Sequence, residues 1–476
     1  MLIINAEIWG VGGADLIIEN GRIAKIGKGL KSNSGQIIDA QHGALLPGLH
    51  DHHMHLLSTA ASLRSIFCGP PKIKNDAQFI ELLNNAEPGE DGWIRGMAYH
   101  EAIGPDIDRH WLDRYGPDCP IRIQHRSGAA WIFNSLALDK LGLKKIGLAK
   151  PKDKILLPEG IERGDDGDLT GRLFHMDQWL VERMPTMTPS LAAVSHMLAS
   201  FGVTGITDAT PRNGPAEWQL IATAQDSGEL LQRVMLMGNE QLEAVATDVQ
   251  AVGSRKIYLK EKQLPGFEQL VEDIQIAHRQ SRSVAFHCVT RTELIYALSC
   301  LAAADTDTGI DYGDRIEHAS ITDHDSLELL ADQGVTVVTQ PNFIYERGDQ
   351  YLLQVEAGDH QNLYRGKAFL DAGIPLAAGT DAPFGDPDPW KAMRAAVDRC
   401  TESGVVLGDT EKLTAEQALS LFLGSAGDPG AGDRKIEVGQ PADFCLLKKP
   451  WNEAREHLHN DLVQATIRGG QFIYQR

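Results

Sequence analysis

The amino-acid sequence predicts an α/β fold: a (β/α)8 TIM-like barrel with a small β-sandwich domain formed from both termini and an inserted subdomain after the first barrel strand. Three features support this fold class. Short apolar runs alternate with helix-like segments through the middle of the 476-residue chain, as in parallel sheets made of βα units. Both ends are rich in β-forming residues and turns. One connection between barrel strands is far longer than usual.

The two ends of the chain carry the predicted β-sandwich domain, residues 1–45 and 430–476. Near the N-terminus, Asn20 and Gly21 separate two β-rich runs, and both residue types tolerate the positive φ of a tight hairpin turn. Near the C-terminus, β-rich runs lie on both sides of the Gly469-Gly470 pair. We therefore expect both ends to contribute strands to one domain.

The barrel is predicted over residues 46–429, where eight short apolar runs supply the number of strands that a closed barrel requires. The candidate strands are residues 44–49, 203–207, 233–237, 256–259, 284–287, 315–318, 335–339 and 376–379. The long interval after the first strand, about residues 58–187, contains its own strand-like segment and glycine-rich turns. We expect it to form a lid subdomain over the barrel mouth.

Charge and composition exclude several classes of function. The 65 acidic residues outnumber the 45 basic ones, and a formal net charge of −20 repels nucleic acids and anionic membrane surfaces. No apolar run approaches the roughly 20 residues that span a bilayer, and six cysteines without CxxC pairs are typical of reduced core residues. We expect a cytoplasmic protein that acts on a small molecule. The sequence leaves the oligomeric state open, a homo-oligomer included.

The histidine-rich segment that follows the first predicted strand is the strongest chemical signal. His53 and His55 are two residues apart, so a strand would point both imidazoles to the same face. Neutral imidazole suits zinc, iron and several other divalent metals. The alternative is a chance group of histidines in a surface turn, because short metal motifs are weak evidence alone.

Four later residues repeat the spacing of barrel strands. His287 and His318 end predicted strands, Asp381 closely follows one, and Lys256 begins one. These four residues are separated by 31, 31 and 63 positions. In a barrel, the ends of successive strands return to the same rim. We therefore expect these side chains to meet His53 around one metal centre.

These segments resemble the amidohydrolase superfamily, and the resemblance covers nearly the whole chain. They read Pro-Gly-Leu-His-Asp-His-His-Met-His at 47–55, Ala-Phe-His at 285–287, Arg-Ile-Glu-His at 315–318, Gly-Thr-Asp-Ala-Pro at 379–383 and Ile-Glu-Val-Gly-Gln-Pro-Ala-Asp-Phe at 436–444. The long insertion is similar to the branch of N-substituted formamide deformylases and related N-acyl amide hydrolases.

The resemblance implies a ligand set for a divalent metal: one or two zinc ions, with iron or manganese as alternatives. His53 and His55 would hold one metal with Asp381. His287 and His318 would hold a second metal or complete a single site.

A lysine on the fourth strand is carboxylated in many members of this family, where it bridges two metals. Lys256 is the candidate here, and Lys260 on the same face of the strand is the rival. A lysine that simply extends from the strand end into solvent is the alternative, since exposure is the usual state of lysine.

The implied reaction is hydrolysis of a carbon–nitrogen bond in a non-peptide N-acyl or N-formyl amide, by attack of hydroxide held on the metal. Asp381 would move the proton to the leaving group, and His318 or His287 would hydrogen-bond the developing oxyanion. Arg291 and Tyr345 follow the fifth and seventh strands, and we expect them to bind substrate.

Two other functions remain open at the level of sequence. A metal-dependent deaminase of a nucleobase-like ring would use similar ligands, and it would leave Lys256 unmodified. A catalytically inactive barrel scaffold would bind no metal tightly, and the complete set of five ligands argues against it.

Overall fold

The computed structural model describes residues 1–31, 35–70, 72–89, 91–104, 106–143, 158–176, 179–180, 182–184, 189–243, 246–304 and 310–476. They form two compact units: Met1–Leu56 with Leu191–Arg476, and Leu57–Ser190. The predicted end of the insert, residue 187, lies outside the described residues. Among the helices described, none is long and apolar enough to cross a membrane.

The strands, numbered along the chain, are β1 Leu2–Ile8, β2 Gly12–Glu19, β3 Arg22–Gly27, β4 Ile37–Asp39, β5 Ala44–Pro47, β6 Leu49–Met54, β7 Ile66–Phe67, β8 Ile94–Tyr99, β9 Ile121–His125, β10 Ala130–Phe133 and β11 Ile161–Arg163. They continue with β12 Leu169–Phe174, β13 Val203–Asp208, β14 Arg233–Gly238, β15 Gln250–Tyr258, β16 Val284–Cys288, β17 Arg315–His318, β18 Thr336–Thr339, β19 Leu376–Ala378, β20 Phe444–Leu447, β21 Val463–Arg468 and β22 Gln471–Gln475.

The α-helices are Leu56–Ser62, Asp76–Asn84, Arg109–Tyr115, Ser135–Lys140, Ala192–Ser200, Pro215–Asp226, Phe267–Arg279, Arg291–Ala304, His324–Gln333, Asn342–Gln354, Lys367–Asp371, Pro389–Asp398, Ala415–Ser420 and Trp451–Ala454. Local sequence explains their ends. Asp323, for example, caps one helix by accepting the Ser326 N–H, and Gly334 ends that helix with a φ of 64° that glycine adopts without strain.

The barrel is one eight-stranded sheet in the order β19-β18-β17-β16-β15-β14-β13-β6, and each neighbouring pair is parallel. Beyond the two end strands, the Asp381 N–H donates to the His53 carbonyl at 2.8 Å, and the His55 N–H donates to the Ala382 carbonyl at 2.8 Å. These hydrogen bonds bring the ends of the sheet together, so the barrel is nearly closed.

The prediction for the first barrel strand was wrong in position. It was placed at residues 44–49, but β5 pairs with β1 and β20 in the other large sheet, and β6 is the barrel strand. Gly48 separates the two strands, and an added Cβ there would lie 2.3 Å from the Thr204 side chain. The chain therefore passes from one sheet to the other at a position that only glycine fits.

Both termini contribute to this other sheet, whose order is β22-β21-β20-β5-β1-β2-β3, with β4 paired to β1. The predicted hairpin is confirmed, because β2 and β3 pair antiparallel around Asn20 and Gly21, whose φ values are 50° and 74°. Apolar residues from the two ends of the chain share one buried core on this sheet. Its organisation as a separate β-sandwich domain stays a prediction.

The Leu57–Ser190 unit has its own six-stranded sheet in the order β11-β12-β10-β9-β8-β7. Two apolar clusters support it, one around Phe79 and Ile121 and one around Phe133 and Leu173. The unit therefore has a core of its own, while its predicted role as a lid stays a prediction.

Candidate metal centre

Three predicted ligands converge where the barrel sheet closes. His53 lies near the end of β6, His55 follows that strand, and Asp381 follows β19. Asp381 Oδ1 lies 3.2 Å from His55 Nε2 and 3.5 Å from His53 Nε2. One ligand atom from each of the three lies within 4.8 Å of the others. These three predicted ligands therefore form one cluster in space.

The backbone and neighbouring side chains fix the orientation of these ligands. Asp381 has a φ of 55°, which turns its carboxylate towards the histidines while its N–H is bonded to β6. His53 Nδ1 contacts Glu317 Oε2, and Glu317 is itself paired with Arg315 at 2.9 Å. His55 Nδ1 lies 2.8 Å from Thr210 Oγ1. These contacts at Nδ1 leave each Nε2 to face the cluster, as in carboxylate–histidine–metal arrangements.

Sequence reasoning missed the role of Glu317. It is fully buried on β17 and contacts His53 across the barrel. The only signal in the sequence was its position immediately before His318, and the strand pattern could not show which histidine it would meet.

His287 and His318 lie beside this cluster. His318 Nε2 is 3.0 Å from His287 Nδ1, and His318 Nδ1 is 2.6 Å from Gln340 Oε1. The His318 and His53 ring centroids are 4.8 Å apart. Burial lowers the pKa of His318 to about 3 and that of His287 well below its ordinary value. Both rings are therefore neutral at physiological pH, the state in which imidazole binds metals.

The two candidate lysines differ in environment. Lys256 is only 6% exposed on β15, and its Nζ has no hydrogen-bond partner among the described residues. Burial lowers the pKa of Lys256 to about 8, which makes the neutral, reactive amine more accessible than in an ordinary lysine. Lys260 is exposed after the strand, with its Nζ 5.6 Å from the Tyr258 ring centroid. These surroundings favour Lys256 over Lys260 as the candidate for carboxylation.

The donor set fits a divalent metal. Imidazole nitrogens and a carboxylate oxygen converge on one point, which is the ligand chemistry of zinc and of several other transition metals. Asp381 Oδ1 is buried and makes no well-oriented hydrogen bond with any residue in the described ranges. Burial raises the pKa of Asp381, but the contacts with His53 and His55 outweigh burial and hold that pKa well below its usual value. The carboxylate is thus an available anionic ligand.

The two predicted substrate contacts have different surroundings. Arg291 begins its helix, and its guanidinium is paired with Asp323 at 2.7 Å and with Asp359 at 2.6 Å. Tyr345 lies on helix Asn342–Gln354, and 49% of its surface is exposed. The acidic partners of Arg291 could not be seen in the sequence. Substrate binding by both residues stays a prediction.

A second histidine–carboxylate cluster lies within the Leu57–Ser190 unit, formed by His100, Glu101 and His125. His125 Nε2 is 3.2 Å from Glu101 Oε2. The Ala102 N–H donates to His100 Nδ1, and the Ser127 N–H donates to His125 Nδ1. Each neutral ring therefore carries its proton on Nε2, which makes these nitrogens hydrogen-bond donors instead of metal ligands.

Known proteins resemble this chain in sequence and in fold. The description "Amidohydrolase family" matches residues 36–474. The chain is 25% identical to the N-substituted formamide deformylase of Arthrobacter pascens, over 100% of this chain and 98% of that protein. Its fold is similar to that of an uncharacterized metal-dependent hydrolase from Pyrococcus horikoshii OT3, with a TM-score of 0.77 and 20% identity over 96% of this chain and 99% of that one. A metal-dependent hydrolase from Pyrococcus furiosus gives a TM-score of 0.70 and 21% identity over 94% and 98% of the two chains. The chain belongs to the amidohydrolase family.

Proposed function

We propose that this protein is a metal-dependent hydrolase that cleaves the carbon–nitrogen bond of a non-peptide amide, with an N-acyl or N-formyl compound as substrate. The observation that carries the proposal is the meeting of His53, His55 and Asp381 at the barrel rim. Full-length similarity to an N-substituted formamide deformylase supports the choice of bond.

His53, His55 and Asp381 would hold the first metal, and His287, His318 and a carboxylated Lys256 would complete a binuclear site. A divalent metal bound there supplies an acidified water and polarises a carbonyl oxygen. We propose that this metal is zinc. We also propose that the two ends of the chain form a small β-sandwich domain, that the insert forms a lid subdomain, and that the protein is cytoplasmic.

The residues of the chain have distinct roles in the proposed reaction. Asp381 accepts the proton of the attacking water and delivers it to the leaving nitrogen, because its carboxylate is ionised and faces the cluster. Glu317 orients His53 through Nδ1. His318 acts as a ligand in this proposal: Gln340 engages its Nδ1 and the metal would take its Nε2, so neither nitrogen is left to hydrogen-bond the carbonyl oxygen.

Two variants test the proposal. His55→Ala and Asp381→Asn should each abolish turnover of N-alkyl formamides and acetamides, lower bound metal measured by elemental analysis, and leave the circular dichroism spectrum unchanged. His457→Ala and Asp332→Asn change the same residue types at exposed positions and serve as matched controls.

Wild-type turnover in either site variant would refute the assignment. Ammonia released from nucleobases without amide hydrolysis would favour a deaminase. A purified protein that binds no divalent metal and gains no activity when metal is added would indicate an inactive scaffold.

A further inference from the structure

Tyr258 occupies a special position beside the candidate metal centre. It is the last residue of β15, two residues after Lys256, so both side chains leave the same face of the strand. Its ring centroid lies 4.4 Å from that of His287. Yet 51% of Tyr258 is exposed. A large aromatic side chain is thus held against a candidate ligand while much of its surface is open to solvent.

The hydroxyl of Tyr258 donates to no protein acceptor among the residues that the structure describes. Within the described ranges, its recorded contacts are made by the ring, with His287 and with Lys260 Nζ. Some other phenols of the same unit are engaged: Tyr296 donates to the Pro265 carbonyl at 2.5 Å, and Tyr351 and Tyr364 pair at 3.2 Å. Tyr258 is half-exposed to solvent, and its hydroxyl is therefore free to donate to a bound molecule.

The position of the Tyr258 side chain suits the reaction at the centre. Its ring packs against His287, whose Nδ1 lies 3.0 Å from His318 Nε2, so the phenol is next to two candidate ligands. A phenol keeps its proton at neutral pH, so it donates a hydrogen bond without exchanging protons. Oxygen atoms that gain charge during amide hydrolysis are stabilised by such preoriented donors.

We propose that Tyr258 is a catalytic residue that donates a hydrogen bond to the carbonyl oxygen of the amide, an inference that rests on the proposed function. The water oxygen bonds to the carbonyl carbon, and the C=O electron pair moves onto the oxygen that Tyr258 holds. When this electron pair re-forms the C=O bond, the C–N bond breaks and the nitrogen receives the proton carried by Asp381. Tyr258 forms no covalent bond and keeps its proton throughout.

The test compares Tyr258→Phe, which removes only the hydroxyl, with Tyr258→Leu, which also removes the ring. Tyr312→Phe is the matched control: its ring stacks on His278 at 3.9 Å, just before β17 begins, so it is a tyrosine–histidine pair away from the centre. All variants are loaded with zinc, and kcat and KM are measured with N-butylformamide and N-butylacetamide. Calorimetry measures the Kd of the N-butyl amide of methylphosphonic acid, a tetrahedral mimic, and elemental analysis measures bound metal.

We expect Tyr258→Phe to lower kcat by about 100- to 1,000-fold with KM changed by less than about threefold, as for the loss of one oxyanion donor. The mimic should bind at least about tenfold more weakly, while bound metal and the control stay at wild-type values. The inference would be overturned if Tyr258→Phe kept the wild-type kcat while Tyr258→Leu raised KM. This result would mean that the ring binds substrate only by apolar contact. Loss of metal in Tyr258→Phe would overturn it in favour of a structural role. A wild-type enzyme that hydrolyses neither amide would refute the proposed function and this inference with it.

Discussion

Glu317 shows how a single buried carboxylate organises the centre. It receives Arg315 on one side and contacts His53 Nδ1 on the other, with no exposed surface. Burial raises the pKa of Glu317, but the charges of Arg315, Lys256 and His53 outweigh it and hold the pKa well below the usual value. An ionised Glu317 keeps the proton of His53 on Nδ1, so Nε2 presents its lone pair to the cluster.

Glu317→Gln should therefore weaken metal binding by about 10- to 100-fold, because the amide holds the His53 tautomer less firmly. Competition with a fluorescent zinc chelator measures this affinity. Glu328→Gln, at an exposed position on helix His324–Gln333, is the matched control. Unchanged affinity in Glu317→Gln would show that His53 does not need this partner.

Lys256 gives a second prediction at the residue scale. Its Nζ is buried and has no hydrogen-bond partner in the part of the chain that the structure describes, so it costs free energy in the metal-free protein, because a charged amine is poorly solvated there. Lys256→Met keeps the length and removes the charge, so we expect the metal-free protein to unfold at a Tm a few degrees higher. The same variant should bind less metal. A metal-free variant less stable than the wild type would show that the amine has a stabilising partner.

Secondary-structure elements were predictable where the local sequence determines the backbone conformation. They were less predictable where pairing with distant strands determines which sheet a strand joins. Asn20 and Gly21 specify their hairpin because both adopt positive φ without help from the rest of the chain. Residues 44–49 form an apolar run that suits either sheet, and their sequence does not reveal which neighbour they meet. The histidine-rich β6 does not look like a core strand, yet it is buried throughout. His50, Asp51 and His53 find polar partners inside the barrel, whereas neither ring nitrogen of the buried His52 has a hydrogen-bond partner among the described residues.

The helix after β18 supports a prediction about pH. Burial raises the pKa of Glu346 to about 7, although its carboxylate accepts the Asp386 N–H and an Asn342 amide proton. The unfolded chain has an ordinary pKa near 4.3 at this residue. Between about pH 4.5 and 7 the folded protein therefore holds a proton that the unfolded chain has lost, so stability falls as pH rises through this window.

Glu346→Gln should remove this loss of stability at higher pH, since the amide is neutral at every pH and keeps an acceptor oxygen for the Asp386 N–H. The free energy of unfolding of the variant, relative to wild type, should increase by roughly 2 kcal/mol between pH 5 and pH 8. Urea titrations at both pH values measure it. Glu356→Gln, exposed two residues beyond the helix, is the control. Equal pH slopes for Glu346→Gln and wild type would contradict a buried, protonated Glu346.

At the scale of the whole molecule, the site depends on the order of the strands. Lys256, His287 and His318 come from the adjacent strands β15, β16 and β17, while His53 and Asp381 meet where β6 closes on the segment after β19. The regular spacing of the first three residues made their convergence predictable from the sequence. Closure between the first and last strands was less predictable, because it depends on contacts between residues more than 300 positions apart. For example, the Thr380 hydroxyl donates to Asp51 at 2.5 Å.

Metal removal should therefore destabilise the barrel as a whole, because ligands from several strands are joined through one centre. A metal that binds only the folded state adds RT ln(1 + [L]/Kd), about 4 kcal/mol when free metal is 1,000 times its Kd. Dialysis against a chelator should lower Tm in scanning calorimetry, and zinc should restore it. Asp381→Asn, which removes the anionic ligand at the closure, should show a much smaller difference between the two conditions. Elemental analysis verifies that dialysis has removed the metal. If the wild-type Tm is then the same with and without chelator, metal binding does not stabilise the folded protein, and the proposed centre is wrong.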